Sequence, residues 1–499
     1  MGLLDIFKRT KVGVSDTKKR MKKREFKMAQ SGRLFNDWRA NNNSPDTEIR
    51  HDLELLRNRG RDLARNNEFA RRYLKLLERN VVGKNGIQLQ MKAAELNGQL
   101  DTVANNNIER AWRLWGKLGS PTLDGRYDWV DCQRFVINSI ARDGEAFAIL
   151  HQNTDPAKPA IQVEFIEPEL VDEDYNETLS NGNVVRMGVE TDQNYRPVAY
   201  HIFYEHPGEI YFNMRQRRNL RRRVPAERVI HVYFGERAGQ TRGVPELAAA
   251  AAPLKMLSGF REASLVASRA SAAKMGFFRT PGGDQFPADD YDEQIPLTDA
   301  QPGSFFQLPP GVEFQEYDPS HPHTNFADFE KQMLKGVASA LNVSYVDLAN
   351  DLESVSYSSI RQGALADRDN YQALQEFMAS HFLQPVFEFW IATMLDQERL
   401  QLPIEKINKW VEGVTWRGRG WNWVDPQKEM NAAITGIKNG VLSMQDVANQ
   451  YGRDVETTFQ GIARDKQMAE TYGLKMAFEP FGAQQMPVDP EITGGESGD

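Results

Sequence analysis

Thr241-Arg242-Gly243-Val244-Pro245-Glu246-Leu247 opens a stretch, running to about Leu395, whose reading decides the fold. Gly243 stands at a turn and Pro245 falls in the first helical turn, where its missing N–H costs nothing. The following residues, 246–275, are Ala-rich and carry Leu254, Leu257, Phe260, Leu265 and Val266, so they predict a helix; Pro253 predicts a kink in it. Such a helix reaches roughly 45 Å at about 1.5 Å per residue, more than a compact single core needs. A second helix is predicted from about Asn325 to Leu341, with Phe326, Phe329, Met333, Val337 and Leu341 on one face. A third runs from about Ser359 to Leu395 and is bent at Pro385. Between the first two, residues 277–278, 304–308 and 312–317 read as short strands, separated by an acidic loop with Asp289, Asp290, Asp292 and Glu293. Residues 343–358 read as a polar, turn-like loop. Two helices flanking a β insert, then a loop and a long helix, predict an elongated subunit of the α+β class.

Working outward, residues 1–45 are basic and polar and end in Asn41-Asn42-Asn43-Ser44-Pro45. They read either as a disordered arm or as an arm that contacts nucleic acid or an assembly partner. A helical pattern covers 47–80 with Gly60 as its break, and 87–91 alternates like a strand. Helices at 100–118 and 131–141 precede strands at 146–151, 162–166, 184–190, 198–203 and 229–234. Short, turn-rich connections make that sheet antiparallel, with Asn181-Gly182-Asn183 as a hairpin turn. Arg215, Arg217, Arg218, Arg221, Arg222 and Arg223 crowd one segment. They read as a solvated loop or a subunit contact, or else as a phosphate contact; no aromatic residue interleaves to stack on bases. Past the third helix, 411–424 is rich in Trp and Gly and reads as strand. Three helical patterns then reach about Met476, the first two ended by Asn439-Gly440 and Tyr451-Gly452. The last twenty residues are expected to be disordered.

Composition narrows the function classes. At 499 residues the chain can hold more than one domain, and 40% hydrophobic with 26% charged residues suits a soluble protein. No apolar run approaches the ~18 residues of a spanning helix, and no secretory signal is evident. The single cysteine, Cys132, excludes an intramolecular disulfide and reads as a small buried hydrophobe. The net charge of −8 is uneven. Residues 1–30 carry ten Lys/Arg against Asp5, Asp16 and Glu25, whereas residues 480–499 carry Asp489, Glu491, Glu496 and Asp499 and no base. An acidic chain of this kind is not a tight, nonspecific DNA binder. There is no G-x-x-x-x-G-K-[ST] and no G-x-S-x-G, and Trp423 stands where Gly418 and Gly420 would need a third glycine. His321 and His323 lack further ligands at zinc spacing. No catalytic residue, metal ligand or cofactor is expected.

Several stretches resemble the lambda-type portal proteins of tailed bacteriophages. They are Arg61-Asp62-Leu63-Ala64-Arg65-Asn66-Asn67, Val81-Val82-Gly83, Asp143-Gly144-Glu145-Ala146-Phe147, Val163-Glu164-Phe165-Ile166-Glu167-Pro168-Glu169, Val224-Pro225-Ala226 and Val229-Ile230-His231. The most telling are Arg237-Ala238-Gly239-Gln240-Thr241-Arg242-Gly243-Val244-Pro245 and Leu341-Asn342-Val343-Ser344-Tyr345 with Tyr357-Ser358-Ser359-Ile360-Arg361. Gly420-Trp421-Asn422-Trp423-Val424-Asp425-Pro426 with Lys428-Glu429 closes the set. The resemblance implies a ring, usually of twelve subunits, at one capsid vertex of a virion assembled in the host cytoplasm. Double-stranded DNA would pass through its channel. Its partners would be the terminase large subunit, the major capsid or scaffold protein and a head–tail connector, and no membrane. It implies a flexible arm (1–45), a wing (46–240 with 397–424), stem helices (241–275 and 324–342) and a clip (276–323). A tunnel loop (343–358), a long wing helix (359–396), a helical crown (425–476) and a disordered tail (477–499) complete it. Lys331 and Lys335, one turn apart, are candidates to face the channel, or else ordinary lysines with Asp328 as partner. Ser354, Ser356 and Tyr357 are candidates by family position. Competing readings are a metal-dependent nucleic-acid processing enzyme, using the acidic clusters and the arginines, and a structural ring unrelated to DNA.

Overall fold

In the computed structural model, residues 42–209, 220–272, 276–279, 313–316, 326–353, 357–421 and 426–474 are described. The chain divides into two compact units, Met1–Ser44 and Pro45–Asp499, and every described helix and strand belongs to the second. The strand expected at 304–308, the acidic loop at 289–293 and the last twenty residues lie outside the described residues.

The second unit starts with three helices, Pro45–Arg50, Leu53–Asn66 and Glu68–Leu77. Gly60 does not break the middle one. It sits in the buried stripe with Leu53, Arg57 and Leu63. A Cβ there would lie 2.2 Å from the carbonyl oxygen of Arg142, so glycine lets this helix touch the helix Trp129–Asp143 backbone to backbone. The break falls at Asn67, whose side chain accepts from the N–H groups of Phe69 and Ala70 at 3.1 and 3.0 Å and so caps the next helix. That helix runs into a π-helical turn, Glu78–Val82, stopped by Gly83 at φ +73°.

Among the described residues all strand pairs within the sheets are antiparallel, joined by short turns along most of the meander and by longer connections elsewhere. Glu145–Gln152 is the middle of three strands, between Ile161–Ile166 and Val229–Tyr233. A five-stranded meander runs through Glu177–Thr178, Val184–Arg186, Val189–Thr191, Pro197–Phe203 and Arg221–Pro225. The turn at 181–183 forms, with Gly182 at φ +83° and Leu179 N–H bonded to the Asn183 carbonyl at 2.8 Å. The strand predicted at 184–190 is two strands. Met187 and Gly188 both take positive φ and fold it into a second hairpin.

The main core is aromatic. Trp112 lies 5.1 Å from Trp390, 5.4 Å from Trp129 and 5.6 Å from Phe387, all edge to face. Its members come from the helices Thr102–Trp115, Trp129–Asp143 and Gln384–Asp396, with Trp416 added by the strand Val414–Arg417. That strand pairs with Gln88–Met91, so distant parts of the chain share one core. Cys132 is buried in it, and burial pushes its thiol pKa far up.

The organising stretch forms the helices Ala248–Ala272 and Phe326–Ala340, with a strand pair, Gly276–Arg279 and Glu313–Glu316, between them in sequence. Phe260 stacks on Phe326 at 5.5 Å and meets Phe329 at 5.2 Å. Leu254 and Leu257 bury the start of the first helix, whereas Leu265 and Val266 farther along are 62% and 59% exposed. The third helix is interrupted: Tyr357–Met378 passes through a π-helical turn, Ala379–Leu383, into Gln384–Asp396. Pro385 thus sits in a first turn, where no N–H is needed. Among the described residues no helix is long and apolar enough to cross a membrane.

Candidate nucleic-acid interface

The loop after the second helix of the organising stretch is more ordered than a polar turn. Ser344 caps a short helix, Tyr345–Ala349, accepting from Asp347 N–H at 3.2 Å, and Asn350 leaves it in the left-handed region. Leu341, Val343 and Leu348 are buried beneath it. Arg72 donates to the Asp347 carbonyl at 3.0 Å and Asn370 to the Asn342 carbonyl at 3.0 Å. The loop is therefore fixed to the first helices and to the third.

Lys331 reaches into this loop. Its Nζ is 3.2 Å from Asp351 and 5.7 Å from the centre of the Tyr345 ring, so its partner is Asp351 and not Asp328. Tyr345 donates to the same carboxylate at 2.8 Å and Glu353 N–H at 2.9 Å. The Tyr345 hydrogen bond, the Glu353 amide and Lys331 hold the Asp351 carboxyl below its ordinary range. Burial and the bond to Asp351 push the Tyr345 phenol up to about 12. Lys335, one turn on, is exposed. The structure thus joins Lys331 to the loop through a carboxylate that the sequence does not single out. The side chains of Ser354, Ser356 and Tyr357 lie outside the described residues; Tyr357 begins the third helix.

Arg221, Arg222 and Arg223 stand on a strand rather than a loop, and each has an acidic partner. Arg221 meets Asp172 at 2.7 Å and covers the Tyr175 ring. Arg222 meets Glu164 at 3.3 Å, and Arg223 meets Glu190 at 2.7 Å. Arg215, Arg217 and Arg218 lie outside the described residues. Glu190 is fully buried and also accepts from Asn183, and Arg223 with Asn183 outweighs burial to hold its carboxyl at about 2. A pKa lowered on folding stabilises the native state above the ordinary value of 4.5, and that stabilisation is lost as pH falls through about 2. The expected result is that Glu190→Gln flattens the loss of stability between pH 4.5 and 2, read from urea midpoints at each pH.

A buried charge cluster adds a second centre. Arg242 is fully buried and spends every N–H. Nε and Nη2 bind Glu145 at 2.7–2.9 Å, Nη2 also binds the Pro168 carbonyl at 3.0 Å, and Nη1 binds those of Met187 and Val171 at 2.8 and 3.3 Å. Glu145 further meets His231 Nε2 at 2.9 Å, Gly243 N–H at 3.1 Å and Arg57 at 3.6 Å. Burial pushes the Glu145 carboxyl up, but Arg242 and the His231 hydrogen bond outweigh it and hold it far below the carboxylate range. Burial keeps His231 below its ordinary value. Arg57 and Arg61 extend the cluster to Asp143, Glu169 and Glu173. Glu167, Glu169 and His206 offer three ligand atoms close together, but Arg61 and Arg57 already pair with these carboxylates, so the group works as an ion-pair network. In sequence these are separate acidic and basic positions. The one available signal is that Arg61, Glu145 and Arg242 each fall in a stretch that resembles portal proteins.

The family model described as phage portal protein, lambda family, matches residues 31–375. A "Probable portal protein" of Halomonas phage phiHAP-1 is 35% identical over 467 residues, covering 92% of this chain and 89% of that protein. The chain belongs to the lambda family of phage portal proteins. "Portal protein B" of Escherichia phage lambda is 21% identical over 481 residues, 89% of each chain. The neck of an empty gene transfer agent particle, computed with C6 symmetry, overlays with a TM-score of 0.41 at 14% identity, covering 81% of this chain and 93% of that one. The matched portal region includes the charge cluster, both helices of the organising stretch and the Lys331–Asp351 loop.

Proposed function

We propose that this portal subunit assembles head to tail into a closed ring, of twelve copies, at one vertex of the virion head. Membership of the portal family over residues 31–375 is the observation that carries the reading. The exposed Leu265 and Val266 support it, because a neighbouring copy would cover apolar side chains that the single subunit leaves in water. In this reading 241–275 and 324–342 are stem, 276–323 clip and 343–358 tunnel loop. Residues 46–240 with 397–424 are wing, 359–396 is the long wing helix and 425–476 the crown. Double-stranded DNA passes through the channel, driven by a terminase, with a head–tail connector docked below; the subunit itself performs no catalysis. The particle is assembled in the host cytoplasm, and the major capsid or scaffold protein surrounds the ring.

A DNA channel must not hold phosphates tightly, because bare cations would stall the duplex. Pairing Lys331 with Asp351 suits that need and leaves the exposed Lys335 as the stronger phosphate contact of the two. Replacing Lys331 and Lys335 by alanine is expected to shift channel conductance toward cations and to slow packaging. Normal packaging with unchanged conductance would remove these two residues from the channel. The architecture is tested by top-view electron microscopy of the purified protein. The expected image is a ring with a hole of roughly 20–40 Å, wide enough for B-form duplex. Isolated monomers that stay monomeric in the presence of shell protein would sink the reading.

A further inference from the structure

A basic cleft of about 760 Å³ opens beside the strand pair Gln88–Met91 and Val414–Arg417. The π turn Glu78–Val82 and residues 83–86 form one wall and residues 417–420 the other, with Tyr451 and Gly452 closing one end. The walls are tied from below by Gln375, which is buried and donates its amide to the carbonyls of Asn80, Val81 and Arg419 at 3.1–3.2 Å. Gly420 permits the closed end: a Cβ there would lie 2.1 Å from the Tyr451 backbone.

Six cations line this cleft, Lys75, Arg79, Lys84, Arg134, Arg417 and Arg419, against one carboxylate, Glu78. Lys75 is paired with Glu78 and Arg134 with Asp131. Among the described residues the remaining four have no carboxylate at ion-pair distance. Arg417 donates to the neutral Gln88 at 2.7 Å, and Arg419 to the Asn80 side chain at 2.9 Å. Arg419 is held below its ordinary value by burial and by the nearby charges of Arg79 and Arg368. Like charges crowded in this way are relieved by a bound anion. The contrast with Arg221, Arg222 and Arg223, each matched by a carboxylate, is direct. Glu109 and Asp454 act on Arg417 only from beyond ion-pair distance, so in a chain of net charge −8 this concavity keeps a local excess of positive charge that an anion can match.

We propose that this cleft is an oxyanion site that takes phosphate groups, supplied either by a nucleic-acid backbone or by a free polyphosphate. Guanidinium groups bind phosphate oxygens through paired N–H donors, and the lysine adds a mobile point charge. The site is separate from Lys331 and Lys335 and does not depend on their facing a channel.

The test uses the full-length protein and two probes, inorganic tripolyphosphate by calorimetry and a labelled 12-base-pair duplex by anisotropy at several salt concentrations. The variant is Arg79→Ala with Lys84→Ala, both exposed and so free of a folding role. The expected result is at least a tenfold loss of affinity. For the duplex, the slope of log K against log salt should fall by about 1.8, at about 0.9 for each phosphate that is no longer neutralised. Loss seen with tripolyphosphate alone assigns the site to free phosphates, and loss seen with the duplex alone assigns it to a backbone. Lys331→Ala with Lys335→Ala should leave tripolyphosphate binding unchanged. Equal affinities for wild type and the Arg79/Lys84 variant with both probes, including no binding by either, would overturn the proposal.

Discussion

Glu145→Ala should destabilise the subunit by about 3–5 kcal/mol, the cost of leaving a buried charge without its partner. Among the described residues Arg242 has no other acid at ion-pair distance, and it cannot give up its proton. Its remaining bonds run to carbonyls of Pro168 and Val171, after Ile161–Ile166, and of Met187, in the hairpin between Val184–Arg186 and Val189–Thr191, so two turns are hung on a guanidinium that Glu145 neutralises. Glu145→Gln keeps the shape and should cost less than the alanine. The double replacement Glu145→Met with Arg242→Met should cost less than the two single changes added together, because it removes both charges at once. Urea unfolding followed by tryptophan fluorescence reads this, since Trp390 is fully buried. A Glu145→Ala variant within 1 kcal/mol of wild type, roughly the cost of one ordinary hydrogen bond, would refute the account.

The second large effect is at Gly243. Gly243→Ala should cost about 3 kcal/mol, the upper end for overpacking, because the collision is with backbone. Its Cβ would lie 2.1 Å from the Gly144 carbonyl oxygen and 2.7 Å from Tyr233 Cβ. No rotamer change relieves that, and moving the chain would break the Gly243 N–H bond to Glu145. Gly259→Ala provides the opposite sign. Gly259 lies within the helix Ala248–Ala272, and a methyl group there would meet nothing within 4 Å, so the better helix former should stabilise by about 0.5–1 kcal/mol. Equal midpoints for the two variants would contradict at least one of the arguments, and midpoints equal to wild type would contradict both.

These residues also mark how far the sequence can be read. Periodicity places the helices at 248–272 and 326–340 to within a few residues, because a long apolar face is a local signal. Gly243 reads as a turn glycine, whereas its reason is a neighbour ninety-nine positions back in the chain, at Gly144. Gly60 misleads for the same cause: a helix-breaking residue by propensity is, in the fold, the point of contact between two helices. Glu145, Arg57 and Arg242 are invisible as a group, since nothing local says that three charges from separate stretches will share one dry site. Lys331 stands out in the sequence, yet its partner Asp351 lies across a loop whose short helix has only a serine cap to announce it.

The pairing of Gln88–Met91 with Val414–Arg417 sets a timetable for synthesis. Arg417 and Gln88 are 329 positions apart. At roughly 5–20 residues per second, the earlier strand waits about 15–65 s on the ribosome before its partner exists. During that interval one edge of Gln88–Met91 is open, Trp112 lacks Trp390 and Trp416, Trp115 lacks Trp390, and Trp129 lacks Phe382. The nascent N-terminal region is thus a sticky, unfinished surface for most of the chain's synthesis, and polysomes crowd many such surfaces together. Completion of each chain closes that edge, so subunits become safe to meet one another only after the last third has emerged.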